Sequence, residues 1–261
     1  NKGKATTAEA TTEEIKEKTD GTETFLIFGV DTREKNLGKG TRSDSIMVVD
    51  VNHKSKEIRL ASIFRDTYVS IEDHGLDKIN HAHSFGGPDL AMDTVNRNFD
   101  LDIDKYITIN FMNVSELVDD IGGIEMEITD SEVKYINGYI DELNKIEERD
   151  SEHITKAGTY TLDGVQAVAY TRIRYTAGGD YKRAERQRTI LLKIFEKAKT
   201  LESDQLLDLA DKFLDEISTN YHSDDVTEIL YYLAKYDIVD TKAFPTSLWG
   251  GKIDGVWYGV P

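Results

Sequence analysis

A basic segment stands out in a chain that is acidic elsewhere. From Thr171 to Arg188 the sequence reads TRIRYTAGGDYKRAERQR, with six Lys and Arg residues against one Asp and one Glu. In a chain of net charge -17, this local inversion of charge indicates an anion site. Guanidinium groups bind phosphate oxygens in bidentate fashion and stay charged when desolvated. The alternative is a solvated helix face.

The spacing within this segment predicts how the site is built. Two arginines leave one predicted helix, Gly178 and Gly179 turn the backbone, and the chain returns along the start of another helix. The side chains on the second helix share a face, and a helix N-terminus adds its own positive potential. The residues involved are Arg172, Arg174, Arg183, Arg186 and Gln187.

Two further arginines flank neighbouring predicted strands. Arg42 precedes one strand and Arg65 follows the next. In an antiparallel hairpin these two ends meet at one edge, so both guanidinium groups could enter one cleft. The alternative is that each forms only a surface ion pair, for instance Arg65 with Asp66, worth at most about 1 kcal/mol.

Two carboxylates lie beside the same predicted strands, Asp31 in GVDTR and Asp44 in TRSDSIM. Mg²⁺ is commonly held by one or two carboxylates and completes its shell with water and phosphate oxygens. The pair is therefore an adequate ligand set for a phosphate site. The alternative is that both residues are turn formers, since Asp is common at strand ends.

The segment KINHAHSFGG, which begins at Lys78, contains further polar candidates. Lys78 and Asn80 could reach a phosphate or a sugar. His81 and His83 would share one face of a strand and suggest a metal site, but they would not share a face of a helix. Because no third ligand is evident, we interpret both histidines as structural and leave His81 open as a substrate contact.

Composition and missing motifs exclude several functions. The 261 residues include no cysteine, which excludes disulfides, thiolate catalysis and Cys-ligated metals. An excess of 49 acidic over 32 basic residues disfavours nucleic acid as a partner. The longest apolar run, FLIFGV, is far shorter than the roughly 20 residues that span a bilayer. No GxSxG, HExxH or GxGxxG motif is present, and LGKGT does not match a phosphate loop.

Strands alternating with helices must position these residues. The runs ETFLIFGV, SDSIMVVDV, EIRLASI and DKYITIN predict strands, and their Val and Ile content indicates a buried sheet. The predicted fold class is α/β, with a central mixed β-sheet sandwiched between helices. The charged segment 130–153 is predicted to be an exposed, partly helical insertion. Helices are predicted at residues 88–99, 111–121, 162–172, 182–200, 203–220 and 223–236.

Six motifs, in this order, closely resemble the catalytic domain of the LytR-CpsA-Psr family. They are GVDTR, TRSDSIMVV, SIFRDTYV, KINHAHSFGG, the DGVQAVAYTRIR helix and GGDYKRAERQR. The resemblance extends from Phe25 to Thr200. Six ordered motifs are far more specific than any one of them.

The resemblance implies a phosphotransferase of the bacterial cell surface. Such proteins transfer a glycopolymer phosphate, from teichoic acid, capsule or a similar polymer, from a polyprenyl-pyrophosphate carrier to peptidoglycan and form a phosphodiester. It implies Mg²⁺, or alternatively Mn²⁺, on Asp31 and Asp44, and it makes Asp31, Arg42 and Arg65 catalytic. Arg33, Asp66 and Arg186 would support them. The residues it implies for pyrophosphate binding are Arg42, Arg65, Lys78, Asn80, Arg172, Arg174, Arg183 and Gln187.

Two other functions would use the same residues. A hydrolase would split the lipid pyrophosphate with water as the acceptor. A non-catalytic module would bind the lipid carrier without turnover and would tolerate the loss of Asp31.

The resemblance also implies an organisation of the chain. We expect a linker at residues 1–22, the catalytic domain at 23–245 and a C-terminal tail at 246–261. Members of the family carry an N-terminal membrane helix, expected here ahead of the linker, which would anchor the domain on the extracellular face of the cytoplasmic membrane. The polyprenyl chain would need an apolar tunnel, and core packing is the alternative role for its candidate residues. These candidates are Phe85, Val95, Phe99, Val114 and Leu117.

Overall fold

A six-stranded mixed β-sheet lies at the centre of the protein. The computed structural model describes residues 21–32, 37–174, 179–247 and 249–261. The sheet strands are β1 (Thr22–Val30), β2 (Ser43–Asn52), β3 (Glu57–Ile63), β6 (Tyr106–Asn110), β9 (Ser218–Thr219) and β10 (Asp237–Phe244). Their order is β10-β3-β2-β1-β6-β9. The pairs β1–β6 and β3–β10 are parallel and the other neighbours are antiparallel. The four strands predicted from sequence are confirmed.

The described residues also form three two-stranded antiparallel sheets and seven helices. These small sheets are β4 (Tyr68–Ile71) with β5 (Gly75–Lys78), β7 (Ile124–Ile128) with β8 (Gly158–Leu162), and β11 (Trp249–Ile253) with β12 (Val256–Val260). The pairs β4–β5 and β11–β12 are hairpins, whereas helix α3 lies between β7 and β8 in the chain. The helices are α1 (Ile79–Phe99), α2 (Phe111–Asp120), α3 (Asp130–Glu147), α4 (Gly164–Arg172), α5 (Gly179–Ala198), α6 (Ser203–Leu214) and α7 (Ser223–Lys235).

Alternation along β1 explains why helices cover both faces of the sheet. Successive side chains of a strand point to opposite faces. Phe25 packs in a core formed with α5 and α7, whereas Leu26 and Phe28 pack in a second core formed with α1. The predicted α/β sandwich is therefore confirmed.

Helix α1 begins earlier than the sequence pattern predicts. Its first residue is Ile79, and the predicted start at Pro88 is a kink within the helix. Gly87 has φ +74°, a conformation open to glycine but strained for other residues, and proline removes a backbone donor at the next position. The segment from Ile79 onward is therefore helical, so His81 and His83 do not share a face.

The charged segment from residue 130 to 153 is partly helical, as predicted, but one face of its helix is buried. Thr129 and Glu132 form a capping box at the start of α3. Ile136, Ile140 and Leu143 then lie on one face of the helix and are buried in a core with α2, α4 and the β7–β8 sheet. The charges occupy the other face and masked this amphipathic pattern.

Two regions near the C-terminus have structure that the sequence pattern did not show. The helix predicted at 203–220 ends at Leu214, and the chain then forms the short edge strand β9. The predicted tail is a hairpin, β11–β12, that packs on the protein. Within the described ranges, every helix is too short or too polar to cross a bilayer.

Candidate phosphate-binding active site

Two carboxylates lie at the same end of the β1–β2 pair. The register shifts between Gly29 and Val30, which pair with Ser45 and Ser43, so Asp44 is the extra residue of a bulge. Bulges redirect side chains out of the regular ladder. Asp31 directly follows Val30, so both predicted metal ligands lie at this edge.

The donor set of this edge suits a hard divalent metal ion. Asp31 and Asp44 offer hard carboxylate oxygens, the ligands that Mg²⁺ prefers. Among the described residues, no group of three or more His, Asp or Glu side chains could hold a metal. The pair therefore suits an ion that takes its remaining ligands from water and phosphate, and does not form a closed protein cage.

Arg65 connects the end of β3 to these carboxylates. Its Nη1 donates to Asp44 Oδ1 at 2.6 Å, and its Nε lies 3.5 Å from Asp66 Oδ2. Lys78 Nζ lies 2.7 Å from Asp66 Oδ1, which extends the network. Arg42 is exposed and lies one residue before β2. Strands β2 and β3 pair antiparallel, as the sequence predicted. The surface pair with Asp66 is therefore only one part of the environment of Arg65.

Asn80 lies behind this network. It is buried, and its backbone N–H donates to the carbonyl of Arg65 at 3.2 Å. The first turn of α1 therefore holds the backbone that carries the arginine. A contact between the Asn80 side chain and substrate stays a prediction.

Helix α5 contributes buried cationic side chains, which excludes the alternative of a solvated face for them. Arg183, Arg186 and Gln187 are 3%, 5% and 8% exposed. Arg186 donates to Glu132 Oε1 at 3.1 Å and to the carbonyl of Ile173 at 3.2 Å, which fixes α5 to α3 and α4. Arg183 and Gln187 instead line a cleft together with Arg65, Asp44 and Asp66.

The buried ion pair below α5 shifts two pKa values. Burial alone would raise the pKa of Glu132, but hydrogen bonds from Thr129 and Arg186 lower it overall. Burial, together with the nearby charge of Glu132, raises the pKa of Tyr170 to about 12. The ring of Tyr170 lies 5.5 Å from the Arg186 guanidinium, so the pair is enclosed by an aromatic face.

Arg172, the last residue of α4, lies near the other carboxylate of the pair, Asp31. Its Nη2 lies 3.3 Å from Glu142 Oε1 and 3.9 Å from Asp31 Oδ2. Arg174 is exposed two residues later. Arg33 and Gly178, the first glycine of the predicted turn, lie outside the described residues. The structure thus brings Asp31, Asp44, Arg65, Arg172, Arg183 and Gln187 to one end of the sheet.

An apolar cavity opens next to the cleft. Ser45 and Gln187 line both spaces. A Cβ at Gly29 would lie 2.9 Å from the Cβ of Ser45, so only glycine fits opposite this serine. The cavity encloses about 1160 Å³ including its open mouth. Its apolar walls come from β1, β2, β6, α2, α5, α6 and α7.

The candidate tunnel residues divide between the two faces of the sheet. Val114 and Leu117 of α2 line this cavity. Phe85, Val95 and Phe99 instead pack in the core under α1, on the other face. The core interpretation is therefore correct for the three α1 residues.

The two histidines are held as structural residues. His83 is buried with Nδ1 2.9 Å from the carbonyl oxygen of Thr41, and burial lowers its pKa. His81 Nδ1 lies 2.7 Å from Asp77 Oδ2. Each ring has its own partner, in agreement with the structural interpretation.

Sequence reasoning missed three aromatic residues of the cleft. Phe64, Tyr181 and Trp257 line it together with the arginines. Tyr181 lies inside the basic motif, two residues before Arg183, which was a usable signal. Trp257 lies in the predicted tail, and no local pattern connects it to the cleft.

Fold and site together define an α/β protein with an arginine-lined cleft beside an apolar cavity. The sequence model of the LytR_cpsA_psr family matches residues 1–261, and the chain belongs to this family. The resemblance seen in the six motifs is thereby confirmed.

Two similar proteins are named as teichoic acid transferases. The chain is 37% identical over 209 residues to the polyisoprenyl-teichoic acid–peptidoglycan teichoic acid transferase TagU of Enterococcus faecalis, covering 78% of this chain and 63% of that protein. It is 36% identical over 199 residues to the transferase TagT of Bacillus subtilis, covering 75% and 59%. The chain thus spans less than two thirds of the length of these relatives.

A similar solved structure is described as the LytR-CPS2A-psr family protein YwtF (TagT) with bound octaprenyl pyrophosphate lipid. Its TM-score is 0.68 at 26% sequence identity, and the match covers 93% of this chain and 84% of that chain.

Proposed function

We propose that this protein transfers a glycopolymer phosphate from a polyprenyl-pyrophosphate carrier to peptidoglycan and forms a phosphodiester. The observation that carries the proposal is the shared wall at Ser45 and Gln187, where an arginine cleft meets an apolar cavity. A molecule that fills both spaces must have phosphate groups next to a long apolar chain. The transferase names of the relatives and the bound lipid of the similar structure support this donor.

The bond changes of the proposed reaction are simple. The oxygen of an acceptor hydroxyl attacks the phosphorus that carries the glycan, and the bond from this phosphorus to the bridging oxygen breaks. The products are a glycan–phosphate–peptidoglycan diester and polyprenyl phosphate, which keeps the bridging oxygen. Such transfer requires charge neutralisation and positioning and needs no covalent nucleophile on the protein.

The arginines of the cleft supply this neutralisation in our proposal. Arg65 and Arg183 come from different elements, so they can hold the pyrophosphate from two directions. Arg42, Arg172 and Arg174 lie at the same end of the fold and would contact the outer phosphate oxygens. Lys78 supports Asp66 beside Arg65. Gln187, at the mouth of the cavity, would bind the phosphate nearest the lipid.

Asp31 and Asp44 would hold Mg²⁺, or alternatively Mn²⁺. When bound, the ion supplies charge neutralisation for the pyrophosphate oxygens. Asp31 is the more accessible carboxylate, with 55% of its side chain exposed against 13% for Asp44. We therefore propose that Asp31 takes the proton of the acceptor hydroxyl. An acceptor in the cell wall would place the domain on the extracellular face of the membrane.

The test is a turnover assay with a short lipid-pyrophosphate glycan and peptidoglycan oligomers, with Mg²⁺ and with EDTA. Arg65→Ala should lower turnover on the order of 10²-fold, by analogy with a lost oxyanion donor. Arg97→Ala is the matched control, because Arg97 pairs with Glu72 on the exposed side of α1. This control should leave turnover unchanged.

The same assay separates the alternatives. Free glycan phosphate formed without peptidoglycan would identify a hydrolase. Tight lipid binding without any product, under conditions where a related transferase is active, would identify a non-catalytic binding module.

A further inference from the structure

The C-terminal hairpin is attached to the segment that carries the ion-pair network. The backbone N–H of Gly259 donates to the carbonyl of Asp66 at 2.9 Å, and Gly259 forms a parallel bridge with Thr67. The ring of Tyr258 packs edge-on against Tyr68 at 4.7 Å between centroids. The hairpin is therefore fixed next to the cleft.

The strand register directs Trp257 towards the cleft. Trp257 pairs with Lys252 and Gly259 pairs with Gly250, so these residues share one face of the hairpin. Trp257 and Gly259 both line the cleft. A Cβ at Gly250 would lie 3.0 Å from the indole, so a glycine makes room for the ring. The indole keeps 39% of its surface exposed.

A second exposed aromatic side chain reaches the cleft from α5. Tyr181 packs edge-on against Phe64 at 4.5 Å between centroids and is 45% exposed. Tyr181, Trp257, Arg65 and Arg183 line the same cleft. Two large, exposed aromatic rings on separate elements thus border the arginines.

Phosphate binding does not explain these rings, because arginine and metal ions already match the chemistry of phosphate. Aromatic faces carry negative partial charge and attract the weakly positive C–H groups of an apolar surface. A pyranose ring presents C–H groups on its faces and hydroxyl groups at its edges. A sugar attached to a phosphate therefore matches an aromatic wall beside an arginine cleft.

We propose that Trp257 and Tyr181 bind the pyranose ring next to the reacting phosphate and make the cleft specific for glycan substrates. The inference rests on the proposed function, because it assumes that phosphate occupies the arginine cleft. The ring belongs either to the first sugar of the lipid-linked donor or to the peptidoglycan acceptor. Both present the same C–H face.

Binding measurements with three ligands test the proposal. The ligands are prenyl pyrophosphate without sugar, the same lipid carrying one hexosamine, and a peptidoglycan oligomer. Trp257→Ala should weaken binding of a sugar-bearing ligand on the order of ten-fold. Trp257→Phe should restore part of this affinity, and binding of the sugar-free lipid should not change.

Trp249→Ala is the matched control. Trp249 lies on the same hairpin, is 64% exposed and does not line the cleft. The chain has only two tryptophans, so Trp249→Phe leaves Trp257 as the single reporter of fluorescence. Its emission should change when a sugar-bearing ligand is added and not when the sugar-free lipid is added. This readout does not depend on the folding of a Trp257 variant.

Each outcome bears on the proposal. A loss confined to the lipid-linked sugar supports it and assigns the donor sugar, whereas a loss confined to the peptidoglycan oligomer supports it and assigns the acceptor. Equal loss for the sugar-free lipid would mean a packing role and overturn it, as would unchanged binding of all three ligands. If wild-type protein does not bind the sugar-free lipid, it is the proposed function that fails.

Discussion

The two faces of the central sheet are covered differently. Under α1, side chains such as Leu26, Phe28 and Val95 are fully buried and pack against one another. On the other face, α2, α5 and α6 leave an apolar cavity above β1 and β6. Apolar lining without packing partners lowers stability. One face is therefore filled by its core, whereas the other combines a packed core with apolar surface that stays available at the mouth of the arginine cleft.

Alanine substitutions at two neighbouring residues of β1 should give the largest difference in stability between the two faces. Leu26 faces the packed core and Ile27 lines the cavity. Leu26→Ala should lower the free energy of unfolding by about 2–5 kcal/mol, as for other filled cores. Ile27→Ala should cost only about 1 kcal/mol, because part of its surface already lacks packing partners. Urea unfolding of both variants measures the difference, and equal losses would mean that the faces are packed alike.

Larger side chains should also act differently on the two faces, impairing lipid binding at the cavity and stability at the packed core. Leu191 lines the cavity one helical turn beyond Gln187. Leu191→Trp should weaken binding of a long prenyl pyrophosphate on the order of 100-fold, about 2.7 kcal/mol, and leave inorganic pyrophosphate binding unchanged. Calorimetric titration measures both. Val95→Phe on the packed face should instead lower stability by about 1–3 kcal/mol without changing lipid affinity.

The buried His83, on the packed face, should make the stability of the protein depend on pH. Burial lowers the pKa of His83 below its usual value of 6.5, although the Thr41 carbonyl partly opposes this. The unfolded chain therefore takes up a proton near pH 6.5 while the folded protein does not. Stability is full above pH 6.5 and falls as the pH decreases towards the folded pKa. Urea midpoints at pH 7.5 and 5.5 should show this loss in wild type and not in His83→Gln.

The exposed His153 provides the control for this experiment. Its Nε2 lies 2.8 Å from Asp141 Oδ1, with 48% of its side chain exposed. His153→Gln should keep the wild-type dependence on pH. If it removes the dependence and His83→Gln does not, the assignment to the packed face is wrong.

The buried Glu132–Arg186 ion pair below α5 should respond only at lower pH, which is the smallest effect expected near neutrality. Hydrogen bonds from Thr129 and Arg186 outweigh burial and lower the pKa of Glu132 below 4.5. Its contribution is therefore present above pH 4.5 and lost as the pH falls through the folded pKa. Glu132→Gln should show a weaker acid-induced loss of stability than wild type. Circular dichroism from pH 6 to pH 3 measures the loss in both proteins. Identical acid profiles for Glu132→Gln and wild type would contradict this account.

The sequence predicted the parts of the fold that have strong periodicity. The apolar runs of β1, β2, β3 and β6 and the helical pattern of residues 111–121 were sufficient to place those strands and α2. Short hairpins such as β4–β5 have too few residues to show a pattern. In α3 the spacing of Ile136, Ile140 and Leu143 was visible, but the surrounding charges concealed it.

The sequence predicted those residues of the candidate site whose type and position along the chain both indicated the cleft. Arg65 lines the cleft, as the predicted strand pair suggested, and so does Arg183, as the basic motif suggested. A role for Arg42 stays a prediction. The cavity was not predictable, because helical spacing is the same for a core residue such as Val95 and a cavity residue such as Leu117. The place of Trp257 depends on contacts far apart in sequence, between β12 and Asp66.

Photo-crosslinking tests the central claim most directly, namely that one lipid pyrophosphate occupies both the cleft and the cavity. A prenyl pyrophosphate with a diazirine in its chain would be irradiated with the protein, and the labelled peptides identified by mass spectrometry. We expect labels on the cavity walls, at residues such as Leu117, Phe195 and Phe213, and less labelling when unlabelled lipid competes. Labels on α1 around Phe85 or Phe99, or labelling that competitor does not reduce, would contradict the account.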